Sequence, residues 1–98
     1  MAQRLTVVAR IKAKAGMEEQ VKQELLSLLA PTRVEKGCIN YDMHQALTDP
    51  GLFLFHENWT SEQDLERHLA TPHIQRWIKV SADLLAEPIE IIRLQQVG

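Results

Sequence analysis

Glu57-Asn58-Trp59, followed after a short gap by His68-Leu69-Ala70-Thr71-Pro72-His73, sets a carboxylate, an indole and two imidazoles around one strand-to-helix corner. These residue types can move protons. An imidazole, with an unperturbed pKa of about 6.5, is the best base available at neutral pH. A carboxylate buried beside it can be driven towards its neutral form and so orient the base or take a proton itself. Upstream, Glu35-Lys36-Gly37-Cys38-Ile39-Asn40-Tyr41-Asp42-Met43-His44 adds a phenol and a third imidazole.

Other chemistries fit less well. His68 and His73 lie five apart across a proline, unlike paired zinc ligands on one helix, and no other local cluster has ligand spacing. No metal and no cofactor is expected. Cys38 is the single cysteine, which excludes an intramolecular disulfide and is consistent with a reducing compartment. It follows Gly37 at a strand start with no base at evident spacing, so a small buried hydrophobe is the better reading.

The elements that must hold these groups follow from periodicity. Leu5 to Ile11 is apolar and β-branched, hence a strand. After Gly16, Met17, Val21, Leu25, Leu28 and Leu29 recur at helical spacing, and Pro31 should end or kink that helix. Val34 could extend a short second piece before Gly37 closes it. Cys38 to Ala46 alternates, with Tyr41 on one side and Asn40 and His44 on the other; His44 is assigned to an interface or solvent. Thr48-Asp49-Pro50-Gly51 is a turn, and Leu52 to Trp59 completes a hairpin. On this last strand Phe53, Phe55, Glu57 and Trp59 share one face, and His56 points to the other.

Ser61 caps the next helix with Asp64 reaching back. Thr71-Pro72 restarts it, threonine as cap and proline at the first helical position. Ile74, Trp77, Ile78, Ser81 and Leu85 form an apolar stripe, and Ile89 to Val97 is a last strand. The order β-α-β-β-α-β is α+β and ferredoxin-like: a four-stranded antiparallel sheet with helices on one face. Strands 1, 3 and 4 look apolar on both sides, so the other face calls for a cover, most simply a homodimer through the sheet.

At 98 residues the chain is expected to be a single domain over 1–98. A formal net charge of -2 with scattered basic residues gives no footprint for nucleic acid, and no basic amphipathic stretch argues for a membrane. The apolar run after Met1-Ala2-Gln3-Arg4 is too short for a signal or membrane segment, so a cytoplasmic location is expected.

The sequence resembles the antibiotic biosynthesis monooxygenase family. The resemblance rests on Glu35 to Tyr41, Asp49-Pro50, Phe53 to Trp59, Ser61, Leu65, His68, Thr71-Pro72-His73 and Leu84 to Pro88, and it spans essentially the whole chain. It implies a homodimeric α+β barrel with a pocket between sheet and helices. It also implies a cofactor-independent monooxygenase acting on quinol- or anthrone-like aromatic substrates with molecular oxygen. The family also holds haem-degrading proteins, an isomerase of a phosphorylated sugar and members with no established substrate. The haem-degrading branch carries a first-strand asparagine and a last-helix histidine. Val7-Val8-Ala9-Arg10 and Ile74 to Lys79 contain neither.

On this reading His68 is the base, oriented by Glu57, with Tyr41 or Trp59 holding the substrate oxyanion. Phe55, Ile74, Trp77 and His73 complete the binding site. The bland reading of each is a surface histidine at His68, a corner carboxylate at Glu57, backbone bonding at His73 and core packing for Tyr41 and the rings. The alternatives are an isomerase of a small (phosphorylated) carbonyl compound, with Lys12, Lys14 and Arg76 as cationic candidates, or a binding module without turnover.

Overall fold

In a computed structural model of the chain, residues 4–98 are described, so Met1 to Gln3 of the N-terminal run lie outside the described residues. β1 (Leu5–Lys12) occupies the interior of the sheet. It pairs antiparallel with β3 (Leu52–Trp59) on one side and β4 (Glu90–Leu94) on the other, while β2 (Cys38–Gln45) pairs with β3. The resulting order β2-β3-β1-β4 is the ferredoxin-like arrangement. Alternation drives one row of side chains beneath the helices: Val7, Ala9 and Ile11 of β1, and Phe53, Phe55, Glu57 and Trp59 of β3, all buried.

Among the described residues four helical segments cover that face. α1 (Glu18–Leu26) buries Val21 and Leu25 and carries acids in its first turn, where they complement the helix dipole. Pro31 does not end it. The break falls earlier, and Pro31 is the third residue of α2 (Leu29–Arg33). An N–H missing there costs nothing, because the first-turn donors of a helix have no intrahelical acceptor. α3 (Glu62–Leu69) is capped as expected, the Ser61 hydroxyl accepting from the Asp64 N–H at 3.2 Å.

α4 (Pro72–Ser81) begins with Pro72 at the start of the helix, but the Thr71 side chain is not its cap. That hydroxyl instead donates to the His68 carbonyl at 2.7 Å, tying the end of α3 to the start of α4. β4 is shorter than the run Ile89 to Val97 suggested, and every one of its residues is exposed.

Gly37 is the hinge that sets the position of Glu35. Its φ is +85°, and a Cβ there would fall 2.2 Å from the Asp64 side chain. Only glycine lets the α2–β2 loop, which carries Glu35, close against the first turn of α3.

The uncovered face departs from the expected apolar surface. Val8, Leu54, Ile92 and Leu94 lie there, but a polar band crosses them. Thr6 Oγ1 donates to Asn58 Oδ1 (2.6 Å), and Asn58 Nδ2 donates to Asn40 Oδ1 (2.7 Å). Asn40 Nδ2 in turn donates to the His56 carbonyl and to Asp42 Oδ2, both at 3.1 Å. Periodicity groups β-branched threonine with the apolar residues, and it carries no sign that Asn40, Asn58 and Thr6 fall in one row of the register. No helix among the described residues is long and apolar enough to cross a membrane.

Candidate active site

The strand register brings Tyr41 of β2 directly opposite Glu57 of β3, on the helix-covered face. A β-bulge between Cys38 and Asn40 puts Cys38 opposite Trp59 on the same face. Asn40 and His44 stay on the open face, opposite Asn58 and Leu54. Burial then acts on each group. It pushes the Glu57 carboxyl up to about 7, resisted by the bond that the Trp59 indole Nε1–H donates to Oε1 at 3.0 Å and reinforced by Glu35. Burial, with Glu57 nearby, also raises the Tyr41 phenol, so it remains a neutral hydroxyl. Burial raises the Cys38 thiol to about 11, which leaves it protonated and a poor nucleophile.

His68, on the last turn of α3, faces inward with its side chain 3 % exposed. Its ring lies against the Trp59 indole, centroids 4.6 Å apart, and presents to the Tyr41 ring edge-on at 5.5 Å. The carboxylate that meets it is not Glu57 but Glu35, from the α2–β2 loop. Glu35 Oε2 is 2.8 Å from His68 Nδ1 and 2.9 Å from His73 Nε2. A carboxylate oxygen accepts, so both ring nitrogens facing it donate. Burial lowers the His68 pKa below its ordinary value, against the pull of Glu35 in the other direction.

Among the described residues the remaining nitrogen of His68, Nε2, has no hydrogen-bond partner. His68 is itself one of the residues that line a cavity beneath the helices.

That cavity, about 60 Å³, lies between the sheet and the helices. Tyr41, Phe55, Glu57, His68, Ile74 and Trp77 line it, together with aliphatic side chains. Ile78, Ile89 and Ile91 belong to its lining and to an adjoining surface cleft between α4 and β4, which marks the mouth. Six of the sequence-derived site residues therefore share one enclosure. The other two do not line it. Trp59 lies behind His68, fully buried, and His73 lies on the solvent side of Glu35 with its side chain 22 % exposed.

Glu35 went unseen as a site residue because it is far from both histidines in sequence. One signal was available: an acid just past a helix C-terminus is unfavourable for the dipole and asks for another reason to be there. The three polar atoms of Glu35, His68 and His73 lie within 4.8 Å of one another, a spacing that a divalent cation could also bridge. Ligand spacing along the sequence does not reveal this trio, because Glu35 joins it only through the fold.

Comparison with known proteins agrees with the architecture. The antibiotic biosynthesis monooxygenase family profile matches residues 4–80. A Synechocystis protein of no assigned function, sll1783, is 34% identical over 87 residues; the match takes in 89% of this chain but only 59% of that protein's length. YcnE of Bacillus subtilis, which carries a provisional monooxygenase name, is 28% identical over 93% of this chain and 96% of its own. The crystal structure of PA3566 from Pseudomonas aeruginosa superposes with a TM-score of 0.94 at 38% identity, covering 100% of this chain and 98% of that one. With residues 4–80 matched to the profile, the chain belongs to the antibiotic biosynthesis monooxygenase family.

Proposed function

We propose that the protein is a cofactor-independent monooxygenase of quinol- or anthrone-like substrates, with His68 as its base. The observation that carries this reading is a buried histidine lining an apolar cavity, its Nδ1 on a carboxylate and its Nε2 without a hydrogen-bond partner among the described residues. No lysine or arginine is among the cavity-lining residues, and Lys12 and Arg76 are engaged by Asp49 and Glu24. An aromatic substrate suits such walls better than a phosphorylated one.

The chemistry balances without a cofactor. His68 Nε2 takes the acidic proton of the substrate, leaving an electron-rich anion that can reduce oxygen. Carbon–oxygen bond formation gives a peroxide anion, and His68 returns the proton to its outer oxygen. Loss of the remaining C–H proton with hydroxide gives the carbonyl product and water: two hydrogens leave the substrate, and one oxygen atom enters it. Neutral Tyr41 and protonated Glu57, neighbours across the β2–β3 pair, supply donors for the oxyanion, and the apolar walls strengthen them by excluding water.

Opposed titrations follow. The base must be unprotonated, so kcat/KM should rise with pH through a value below 6.5. The Glu57 donor must be protonated, so the rate should fall as pH passes about 7. A pH–rate profile checks both limbs.

Oxygen uptake by the metal-stripped protein against a panel of quinols and anthrones tests the reading. Uptake above the autoxidation blank should drop by ~10²–10⁴-fold in His68→Ala. Full activity in a folded His68→Ala variant would remove His68 from the mechanism. The open sheet face, with Leu54, Ile92 and Leu94 exposed beside the polar band, is the proposed homodimer surface. Sedimentation of a monomer at micromolar concentration would exclude that assembly.

A further inference from the structure

We propose that Glu35 and His73 are the positioning residues of this site: Glu35 holds His68 in the tautomer that leaves Nε2 free, and His73 braces Glu35 from the solvent side. The inference rests on the oxygenase reading for its catalytic meaning but not for its geometry. Among the described residues His68 has no other group at Nδ1, so the hydrogen's place on the ring is decided by Glu35 Oε2, 2.8 Å away. Without an acceptor there, the proton could move to Nε2, and the face towards the cavity would be an N–H donor instead of a base.

A loop carboxylate with 13 % of its side chain exposed would ordinarily exchange such a bond for water. His73 opposes that loss. Its Nε2 takes the same Oε2 at 2.9 Å and lies 3.2 Å from the Thr32 hydroxyl and 3.3 Å from the Thr71 hydroxyl. Thr32 is fully buried on α2, and Thr71 is itself bonded to the His68 carbonyl. The cluster thus ties α2, the α2–β2 loop, the end of α3 and the start of α4 around one carboxylate oxygen. The other titratable groups facing His68 are Tyr41 on β2 and Glu57 on β3, and no hydrogen bond links either of them to its ring.

The test is ¹⁵N NMR of imidazole-labelled protein, read alongside oxygen uptake. The unmodified protein should show His68 as the Nδ1–H tautomer with a bare Nε2. Glu35→Gln should shift His68 towards the Nε2–H form and reduce kcat/KM at least ~10-fold, since losing a carboxylate that orients a catalytic imidazole can cost up to ~10⁴-fold. His73→Gln should do the same more weakly, and Glu35→Asp should recover part of the tautomer preference.

An unmodified protein with the proton on His68 Nε2, or a folded Glu35→Gln variant with an unchanged tautomer, would overturn the proposal. So would stoichiometric Zn²⁺ binding to the purified protein that displaces the Nδ1 proton and is lost with any of the three side chains. If Glu35→Gln does not fold, the His73→Gln spectrum decides in its place. The expected tautomers with no uptake on any quinol would sink the oxygenase reading and leave the positioning intact.

Discussion

The two faces of the sheet carry similar polar side chains to different ends. On the open face His56, Asn40, Asn58, Asp42 and Thr6 form a ladder of hydrogen bonds outside the helix-covered core. On the covered face Glu57, Tyr41 and His68 lie among aromatic rings, and burial pushes each away from its charged form. Residue type therefore says little about reactivity here; enclosure decides it, because water stabilises a charge that an apolar wall cannot. The covered face also holds an imidazole tied at Nδ1 to a carboxylate beside an apolar cavity, which the open ladder does not offer a substrate.

Breaking the enclosure should have the largest effect. Phe55 is almost wholly buried and packs against Tyr41, ring centroids 4.7 Å apart at a 34° tilt. Phe55→Ala should cost about 3–5 kcal/mol in denaturant unfolding, because the cavity left behind adds to the lost transfer energy.

The two histidines sharpen the comparison directly. His68→Ala should remove most turnover, whereas His56→Ala, on the open face, should leave kcat/KM within about twofold of the parent. That expectation uses the fact that His56 touches neither the cavity nor the Glu35 cluster. Equal losses in both variants would mean that the covered face is not the reacting one.

Glu57 tests the cost of enclosure. Its pKa rises from 4.5 to about 7 on folding, so the stability linked to it is fully present below 4.5 and is lost as pH rises through about 7. The linked free energy is roughly 3 kcal/mol. Glu57→Gln, which keeps an acceptor for the Trp59 indole, should therefore be more stable than the parent at pH 8.5 and lose that advantage at pH 4. Urea unfolding at the two pH values measures this. An advantage of equal size at both would show that the carboxyl is not held in its neutral form.

The smallest effect belongs to the open ladder. Asn58→Ala removes bonds to Thr6 and Asn40 and should cost about 1 kcal/mol in the same unfolding measurement.

Local pattern made most of this framework readable. Alternation along β3 is enough to put Glu57, Phe55 and Trp59 on one face, and the Ser61 cap and the Thr71-Pro72 restart place His68 and His73 on successive helices. These are short-range signals, written within a few residues by a period of two or of 3.6. The same signals misplace the end of the first helix, because a proline is tolerated in a first turn, and they miss the polar row on the open face, which depends on register across three strands.

What the sequence by itself determined is the order and amphipathicity of the elements, and hence which residues could be buried. Which carboxylate meets His68 was decided only by tertiary structure. Glu57 is nearer in sequence, but its Oε1 is taken by the Trp59 indole, while Gly37 folds the α2–β2 loop closely enough to bring Glu35 to both imidazoles. The physical reason is range. A helix or strand is specified by neighbours, whereas a contact between residues 33 apart exists only because two separate corners pack against the same sheet.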